Sequence, residues 1–200
     1  RIDGKASGER AAYDSLSIIP VTVTLSPTIA EIVKVTNHES VNMYAEALRK
    51  HLGYELLGEG SFRAGAMVIR NHLDSIGCEP YEAVMLDGSG LSANNNISAL
   101  MTVRLLVHMY NGKDSAVFVS SLQEAGVSGT MKNYFRSELF KGRVIAKTGS
   151  IGSVRSFAGF VTTASGKTLA FTMIANGFAV PWRKVTNGME KIMEEVILAY

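Results

Sequence analysis

The segment VIAKTGSIGSVRSFAGFVTT, residues 144–163, indicates the fold class of this chain. Apolar and polar side chains alternate through it with the period of two that is typical of β-strands. A third alternating segment, TLAFTMIAN at 168–176, follows the turn residues 164–167 and predicts a hairpin. The last segment, NGMEKIMEEVILAY at 187–200, has the period of an amphipathic helix. We therefore predict an antiparallel sheet with a C-terminal helix packed on it.

Helices are predicted ahead of this sheet, because apolar residues recur at helical spacing between capping residues. The predicted boundaries are Ser26 and Pro27 for the start of a first helix, Ser40 as N-cap and Gly53 as end of a second, residues 61–76 with Gly77 as stop for a third, and residues 111–112 as the end of a strongly apolar fourth. Helices followed by antiparallel strands and a closing helix define an α+β, or layered α/β, fold class.

The first 25 residues differ from the rest of the chain. Residues 1–14 are polar and contain glycine, which is typical of a linker. The segment SLSIIPVTVTL, residues 15–25, is rich in β-branched side chains and predicts a strand that is interrupted at Pro20. We expect residues 1–25 to be a linker or the end of an inserted domain, and residues 26–200 to form the main domain.

Composition restricts the classes of function. The formal net charge is +2 and the basic residues are spread along the chain, so no nucleic-acid partner is predicted. The single cysteine excludes an internal disulfide framework, and four histidines without ligand spacing predict no metal site. Asn42 stands where H-E-x-x-H requires its second histidine, and no G-x-S-x-G occurs. No cofactor is predicted, and no apolar stretch is long enough to span a bilayer.

One alternative is a dinucleotide-binding enzyme, because Gly88, Gly90 and Ala93 form G-x-G-x-x-A between a predicted strand and a helix. The acidic residue of that fold should end the next strand, whereas Asp114 precedes an apolar run. The strands that follow are also joined by hairpins instead of parallel crossovers. This alternative therefore ranks below the one that follows.

The tripeptide Lys147-Thr148-Gly149 lies on a predicted strand, and each of its three residues can contribute to substrate binding or catalysis. A lysine facing a cleft can hold a substrate carboxylate and polarise a neighbouring hydroxyl. The threonine hydroxyl adds a hydrogen-bond donor to that carboxylate. The glycine lets an extended substrate lie beside the strand. K-T-G occurs together with S-x-x-K and S-D-N in penicillin-binding proteins and class A β-lactamases.

Ser-x-Asn occurs twice upstream of this tripeptide. Ser92 could relay a proton between a lysine and a leaving amine, and Asn94 could bind the substrate amide or orient the catalytic lysine. The other occurrence, at Ser40 and Asn42, is interpreted as a helix cap. The loop pair Ser92 and Asn94 is therefore the predicted partner of Lys147.

Four segments in order resemble the D-alanyl-D-alanine carboxypeptidase/endopeptidase class of low-molecular-mass penicillin-binding proteins. They are NHESVNMYAEAL, LDGSGLSANNNISA, EAGVSGTMKNYF and RVIAKTGSIGSVRSFAGFVTT, and the resemblance covers residues 26–200. It implies a penicillin-recognising serine transpeptidase/β-lactamase-like fold, the D-Ala-D-Ala end or the cross-link of peptidoglycan peptides as substrate, and β-lactams as ligands. Ser92 and Asn94 match the second motif and Lys147, Thr148 and Gly149 the third, with Ser150 beside them as a substrate-binding residue.

The first motif of that class, Ser-x-x-Lys, is absent from the 200 residues, because no lysine has a serine three positions before it. An activated serine needs a neighbouring base, so the nucleophile must come from elsewhere. We expect this chain to be the C-terminal part of an enzyme whose N-terminal segment carries it. A catalytically inactive, muropeptide-binding relative is the alternative. The resemblance further implies a periplasmic or other extracytoplasmic location.

Overall fold

A computed structural model of the protein describes residues 25–200. The predicted strand at 15–25 therefore lies almost wholly outside the described residues. The helices are α1 Ile29–Glu39, α2 Asn42–Leu57, α3 Phe62–Ser75, α4 Ala99–Asn111, α5 Ser115–Ser121 and α6 Trp182–Ala199. The strands are β1 Ala83–Val84, β2 Asn96–Ile97, β3 Gln123–Glu124, β4 Val144–Ile151, β5 Val154–Thr162 and β6 Thr168–Asn176. Short 3-10 segments lie at Pro80–Glu82 and Gly129–Asn133.

The first two helices start at residues other than those predicted. The N-cap of α1 is Thr28, not Ser26, because Thr28 and Glu31 form a reciprocal capping box. The N-cap of α2 is Val41, which makes no side-chain cap hydrogen bond, so Ser40 does not cap this helix. Ser40 has instead a left-handed conformation at the end of α1, with φ of 54°.

Helix α2 also continues past Gly53 to Leu57, and its C-cap is Gly58, which has φ of 70°. Gly53 is a contact point and not a stop. A Cβ on it would lie 2.7 Å from the backbone nitrogen of Gly65 and 2.9 Å from the Ala64 Cβ, both on α3. The glycine therefore allows α2 and α3 to approach closely.

The predicted limits of α3 and the predicted end of α4 are confirmed. Ser61 accepts a hydrogen bond from the Ala64 backbone N–H, and Ser98 does the same for Met101, so each serine caps the helix that follows. The apolar segment after Asp114 is helix α5. Helix α6 begins at Trp182, five residues before the predicted start.

The main sheet has the order β3-β4-β5-β6, and every neighbouring pair is antiparallel. Strands β4 and β5 pair along their length, from Val144 opposite Val161 to Ile151 opposite Val154. The predicted hairpin between β5 and β6 is confirmed, and its turn, residues 163–167, is one residue longer than the predicted 164–167. Strand β3 is short and pairs only with Ile145 and Ala146, which leaves the β4 edge beyond Ala146 without a strand partner in the described chain.

Helix α6 covers one face of the sheet, and α4 and α5 cover the other. The core under α6 combines strand, loop and helix side chains, namely Met131, Phe135, Phe140, Val144, Ala146, Phe157, Val161, Met189, Met193 and Ile197. On the opposite face, Phe160 packs with Leu106 of α4 and with Leu122. The sheet is thus the middle layer of the molecule, and successive β4 residues face different layers.

The dinucleotide alternative is contradicted by the topology. Strands β1 and β2 flank the glycine-containing loop and pair antiparallel with each other. All strand pairs among residues 25–200 are antiparallel, whereas a dinucleotide fold needs parallel strands joined by helices. Within the same residues, no helix combines the length and apolar character needed to cross a membrane.

Candidate active site

Lys147 is the central charged side chain of the candidate site. It lies on β4, and its alternation places it on the sheet face that is covered by α4 and α5. Its ammonium nitrogen Nζ donates to the Ser40 Oγ at 2.9 Å and to the Thr148 carbonyl oxygen at 2.9 Å. Burial lowers the pKa of Lys147, because a desolvated ammonium is less stable than a hydrated one. The lysine is therefore a half-buried cation with a hydroxyl as its partner.

Ser40 reaches Lys147 because the chain turns sharply between α1 and α2. The left-handed backbone of Ser40 ends one helix, and only Val41 separates it from the other. A lysine ammonium only donates hydrogen bonds, so the Ser40 oxygen accepts and the Ser40 proton stays free to be given to another group. This arrangement is suited to passing a proton to a leaving group.

The serine that contacts Lys147 is not the one that the sequence predicts. Ser92 and Asn94 lie in the loop between β1 and β2, and their hydrogen bonds are local. The Ser92 backbone N–H donates to Asp87, and the Asn94 backbone N–H donates to the Ser92 Oγ. In the described part of the chain, neither residue has a hydrogen bond to Lys147. The structure thus gives the contact with Lys147 to Ser40, and the pairing of Lys147 with Ser92 is corrected.

A signal for Ser40 is present in the sequence as the Ser-x-Asn at residues 40–42. It was interpreted as a helix cap, an interpretation that the backbone contradicts. Asn42, the other residue of this Ser-x-Asn, is the first residue of α2 and is exposed. Only the turn geometry and the long-range contact distinguish this tripeptide from the one in the loop.

The glycine-containing loop is held against α2 by Glu46. The carboxylate of Glu46 accepts hydrogen bonds from the Gly88 and Ser89 backbone N–H groups and from the Ser89 hydroxyl, at 2.7–3.0 Å. Burial raises the pKa of Glu46, but these hydrogen bonds outweigh it, so that the pKa is lowered. A Cβ on Gly88 would lie 2.9 Å from the Ala45 carbonyl oxygen, so the loop backbone packs directly on the helix.

Asp87 organises the loop from within. It accepts from the Gly90 and Ser92 backbone N–H groups and from the Asn95 side-chain amide, at 2.5–2.7 Å. Burial raises the pKa of Asp87, whereas the Asn95 amide, the two N–H groups and the Arg49 charge lower it, with a net lowering. The glycine-containing loop is therefore a turn that folds around the Asp87 carboxylate.

The remaining predicted residues lie in line along β4. Gly149 is opposite Ser156 on β5, and a Cβ on Gly149 would collide with the Ser156 hydroxyl oxygen. Packing within the sheet therefore requires glycine at this position, independently of any space for a substrate. Ser150 is exposed and lies opposite Arg155, on the same face as Thr148. Beside these residues, the β4 edge has no strand partner in the described chain.

Solved structures with a similar fold identify the class of protein. Penicillin-binding protein 4 (dacB) from Haemophilus influenzae, in complex with a β-lactam, superposes with a TM-score of 0.76 and 25% identity over 84% of this chain and 41% of that chain. The extended-spectrum β-lactamase TLA-1 matches in fold, with a TM-score of 0.65 and 19% identity over 84% of this chain and 63% of that chain. The chain therefore has the fold of the penicillin-recognising serine enzymes.

The family follows from the sequence comparisons. The profile of the D-Ala-D-Ala carboxypeptidase 3 (S13) family matches residues 14–196. The D-alanyl-D-alanine carboxypeptidase of Actinomadura sp. is 33% identical over 162 residues, which are 78% of this chain and 29% of that protein. Carboxypeptidase DacB of Mycolicibacterium smegmatis is 29% identical over 206 residues, 92% of this chain and 45% of that protein. The chain belongs to the D-Ala-D-Ala carboxypeptidase family, and it spans less than half the length of these two relatives.

Proposed function

We propose that this chain is the C-terminal part of a serine-type D-Ala-D-Ala carboxypeptidase/endopeptidase that acts on peptidoglycan peptides and binds β-lactams. The observation that carries the proposal is the 2.9 Å contact between the Lys147 Nζ and the Ser40 Oγ. It joins a Ser-x-Asn turn to a Lys-Thr-Gly strand, two of the three elements of penicillin-recognising enzymes. Family membership and the shared fold support the same activity.

Each side chain has a role in this proposal. Lys147 lowers the cost of negative charge near the reacting centre and polarises the Ser40 hydroxyl. Ser40 donates its proton to the leaving amine, and Asn42 binds the substrate amide. The open edge of β4, from Gly149 to Ser150, pairs with the extended peptide. Ser92 and Asn94 then hold the loop that lines α2, instead of taking part in proton transfer.

The nucleophile, in this proposal, comes from a segment of the same protein outside the 200 residues. The absence of Ser-x-x-Lys and the limited coverage of the relatives support this view. Residues 1–25 are then a linker or the end of an inserted domain, and residues 26–200 are part of the peptidase domain. Action on peptidoglycan implies a periplasmic or other extracytoplasmic location.

Intact mass spectrometry after incubation with benzylpenicillin tests the proposal, because a β-lactam forms a stable adduct only with an activated serine. The chain alone should show no adduct. The chain joined to the upstream segment of its gene should show one, on the serine of an upstream Ser-x-x-Lys. An adduct on Ser40 or Ser92 in the chain alone would overturn the assignment. No adduct in either sample would favour the inactive, muropeptide-binding relative.

A further inference from the structure

Two histidines that take no part in the candidate active site lie side by side on the surface. His72 is in the last turn of α3, and His108 is in the last turn of α4. Both side chains are exposed, and their ring centroids lie 5.3 Å apart with 70° between the ring planes. The four histidines of the chain have no ligand spacing in the sequence, so this pair forms only when the chain is folded.

The distance between the two rings fits the coordination of one metal ion. An imidazole nitrogen binds zinc at about 2.1 Å, which places the ring centroid about 3.2 Å from the ion. Two such rings at a tetrahedral angle have centroids about 5.2 Å apart, whereas the right angle of square-planar or octahedral geometry gives about 4.5 Å. The observed 5.3 Å therefore matches the tetrahedral geometry that zinc adopts.

Packing of α3 against α4 holds the pair in this position. The residue that follows His72 in the chain is buried together with Met101 of α4. Arg104, one turn before His108, donates to the Gly77 carbonyl oxygen at 3.0 Å, just after α3. Because the two helices are already in place, the rings need little rearrangement to share an ion, which reduces the entropy lost on binding.

The charges around the pair favour a bound cation. Backbone carbonyl groups give the last turn of a helix a partial negative charge, and both histidines lie in such a turn. The positive charge of Arg104 is paired with Glu82 at 3.0 Å. In residues 25–200, no three His, Cys, Asp or Glu side chains are grouped so that they could hold a metal ion, so water must complete the coordination. Binding is therefore weaker than in structural zinc sites, which have four protein ligands.

We propose that His72 and His108 form an exchangeable zinc site that links α3 to α4. Each neutral imidazole gives one ring nitrogen to the ion, and water fills the remaining positions. Helix α4 packs on the sheet face of Lys147 through Leu106 and Phe160, and α3 packs on α2. A bound ion therefore joins the α2–α3 hairpin to the layer that covers that face. This proposal replaces the sequence-based prediction that the chain has no metal site, and it does not depend on the proposed function.

Isothermal titration calorimetry of this chain with zinc chloride tests the site. The wild type should bind one zinc ion with a Kd in the micromolar range. His72→Gln and His108→Gln should each weaken binding at least about tenfold, because each removes one of the two protein ligands. The matched control is His51→Gln, which removes an exposed histidine of α2 that pairs with Glu55 and should bind zinc like the wild type. No binding by the wild type, or equal affinity in all four proteins, would overturn the proposal and leave only an edge-to-face aromatic pair.

NMR of the imidazole nitrogens identifies the ligands directly. Zinc should shift the ring-nitrogen signals of His72 and His108 together, with the same dependence on zinc concentration. The signals of His38 and His51 should stay in place. A shift at only one of the two paired rings would refute shared coordination, even where calorimetry detects a bound ion.

Thermal denaturation and hydrogen exchange test the link between the two helices. Zinc at ten times its Kd should raise the Tm of the wild type by about 3–6 °C, because the ion binds the folded chain, and a chelator should reverse the rise. Amide exchange should slow in the last turns of α3 and α4. The double variant His72→Gln, His108→Gln should lose both effects. An equal rise of Tm in the double variant would place the ion elsewhere and contradict the proposed link.

Discussion

The sheet face under α6 buries its largest apolar side chains, whereas the hairpin of α2 and α3 leaves most of its own exposed. Phe157 is only 2% exposed, in a core of aromatic and methionine side chains. In α2 and α3 the buried positions are instead Arg49, Gly53, Ala64, Gly65 and Leu73. Large buried side chains stabilise the first region. In the second region, glycines without side chains let the two helix backbones pack in direct contact.

The largest expected effect is in the sheet core. Phe157→Ala removes a ring that packs edge-on against Phe135 and Tyr134, at centroid distances of 5.0 and 5.1 Å. The free energy of unfolding should fall by about 3–5 kcal/mol, from lost burial and the cavity left behind. Met43→Ala in α2 is the control, because Met43 is 73% exposed and should change it by less than about 0.5 kcal/mol. Urea denaturation measures both, and equal losses would remove the contrast between the regions.

The next effect comes from adding volume between the helices. A Cβ on Gly65 would collide with the Arg49 carbonyl oxygen and lie 2.7 Å from the Arg49 carbonyl carbon. Gly65→Ala should therefore force α2 from α3 and lower the free energy of unfolding by about 1–3 kcal/mol, despite the better helix propensity of alanine. Gly60→Ala is the control, with its nearest neighbour, the Tyr54 Cβ, 3.8 Å away. If Gly65→Ala left the free energy of unfolding unchanged, α2 and α3 would be loosely packed against each other.

A smaller effect should appear in the loop that Glu46 and Asp87 organise. Both carboxyl groups have lowered pKa values in the folded chain, from ordinary values of 4.5 and 3.8. Their stabilisation is therefore complete above those ordinary values and is lost as the pH falls through the lower folded values. Amide hydrogens of Gly88, Ser89 and Ser92 should lose protection from exchange in acid before those of β5.

Glu46→Gln distinguishes the contribution of Glu46, on α2, from that of Asp87, within the loop. The variant should lose about 1 kcal/mol of stability at neutral pH, a low value for charged hydrogen bonds because the group is partly exposed. It should also loosen Gly88 and Ser89 while the Asp87 contacts persist. Hydrogen exchange monitored by NMR measures both, and unchanged protection at Gly88 would mean that Asp87 alone holds the loop.

The smallest effect has the opposite sign. Gly188 lies on an exposed position of α6, and nothing lies within 4 Å of a Cβ built on it. Gly188→Ala should therefore raise the free energy of unfolding by about 0.5–1 kcal/mol through helix propensity. Compared with Gly65→Ala, it makes the same chemical change on a helix with free space. Thermal denaturation of the two variants should show shifts in opposite directions.

The sheet was predictable because its pattern is local. The alternation of apolar and polar residues predicted β4, β5, β6 and their order. Apolar residues at helical spacing predicted α3, α4 and α6. The start of α1 was missed although the capping box of Thr28 and Glu31 is present in the sequence, because Ser26 and Pro27 offered a competing signal. The predicted helix stop at Gly53 is wrong, because the sequence does not distinguish a glycine at a helix–helix contact from one that ends a helix.

For the candidate site, the sequence predicted the residues on β4 but not the serine that contacts Lys147. Lys147, Thr148, Gly149 and Ser150 were found because one strand carries them all in succession. The choice between two Ser-x-Asn tripeptides was wrong for the partner of Lys147, because that contact spans 107 residues of sequence.

The fold class, the family and the strand that carries Lys147 were predictable, because they follow from periodicity and from motifs that are contiguous in the chain. Which serine contacts that lysine became clear only from the folded structure. The physical reason is that a hydrogen bond depends on distance and direction in space, and a buried proton goes to whichever acceptor the fold brings within reach.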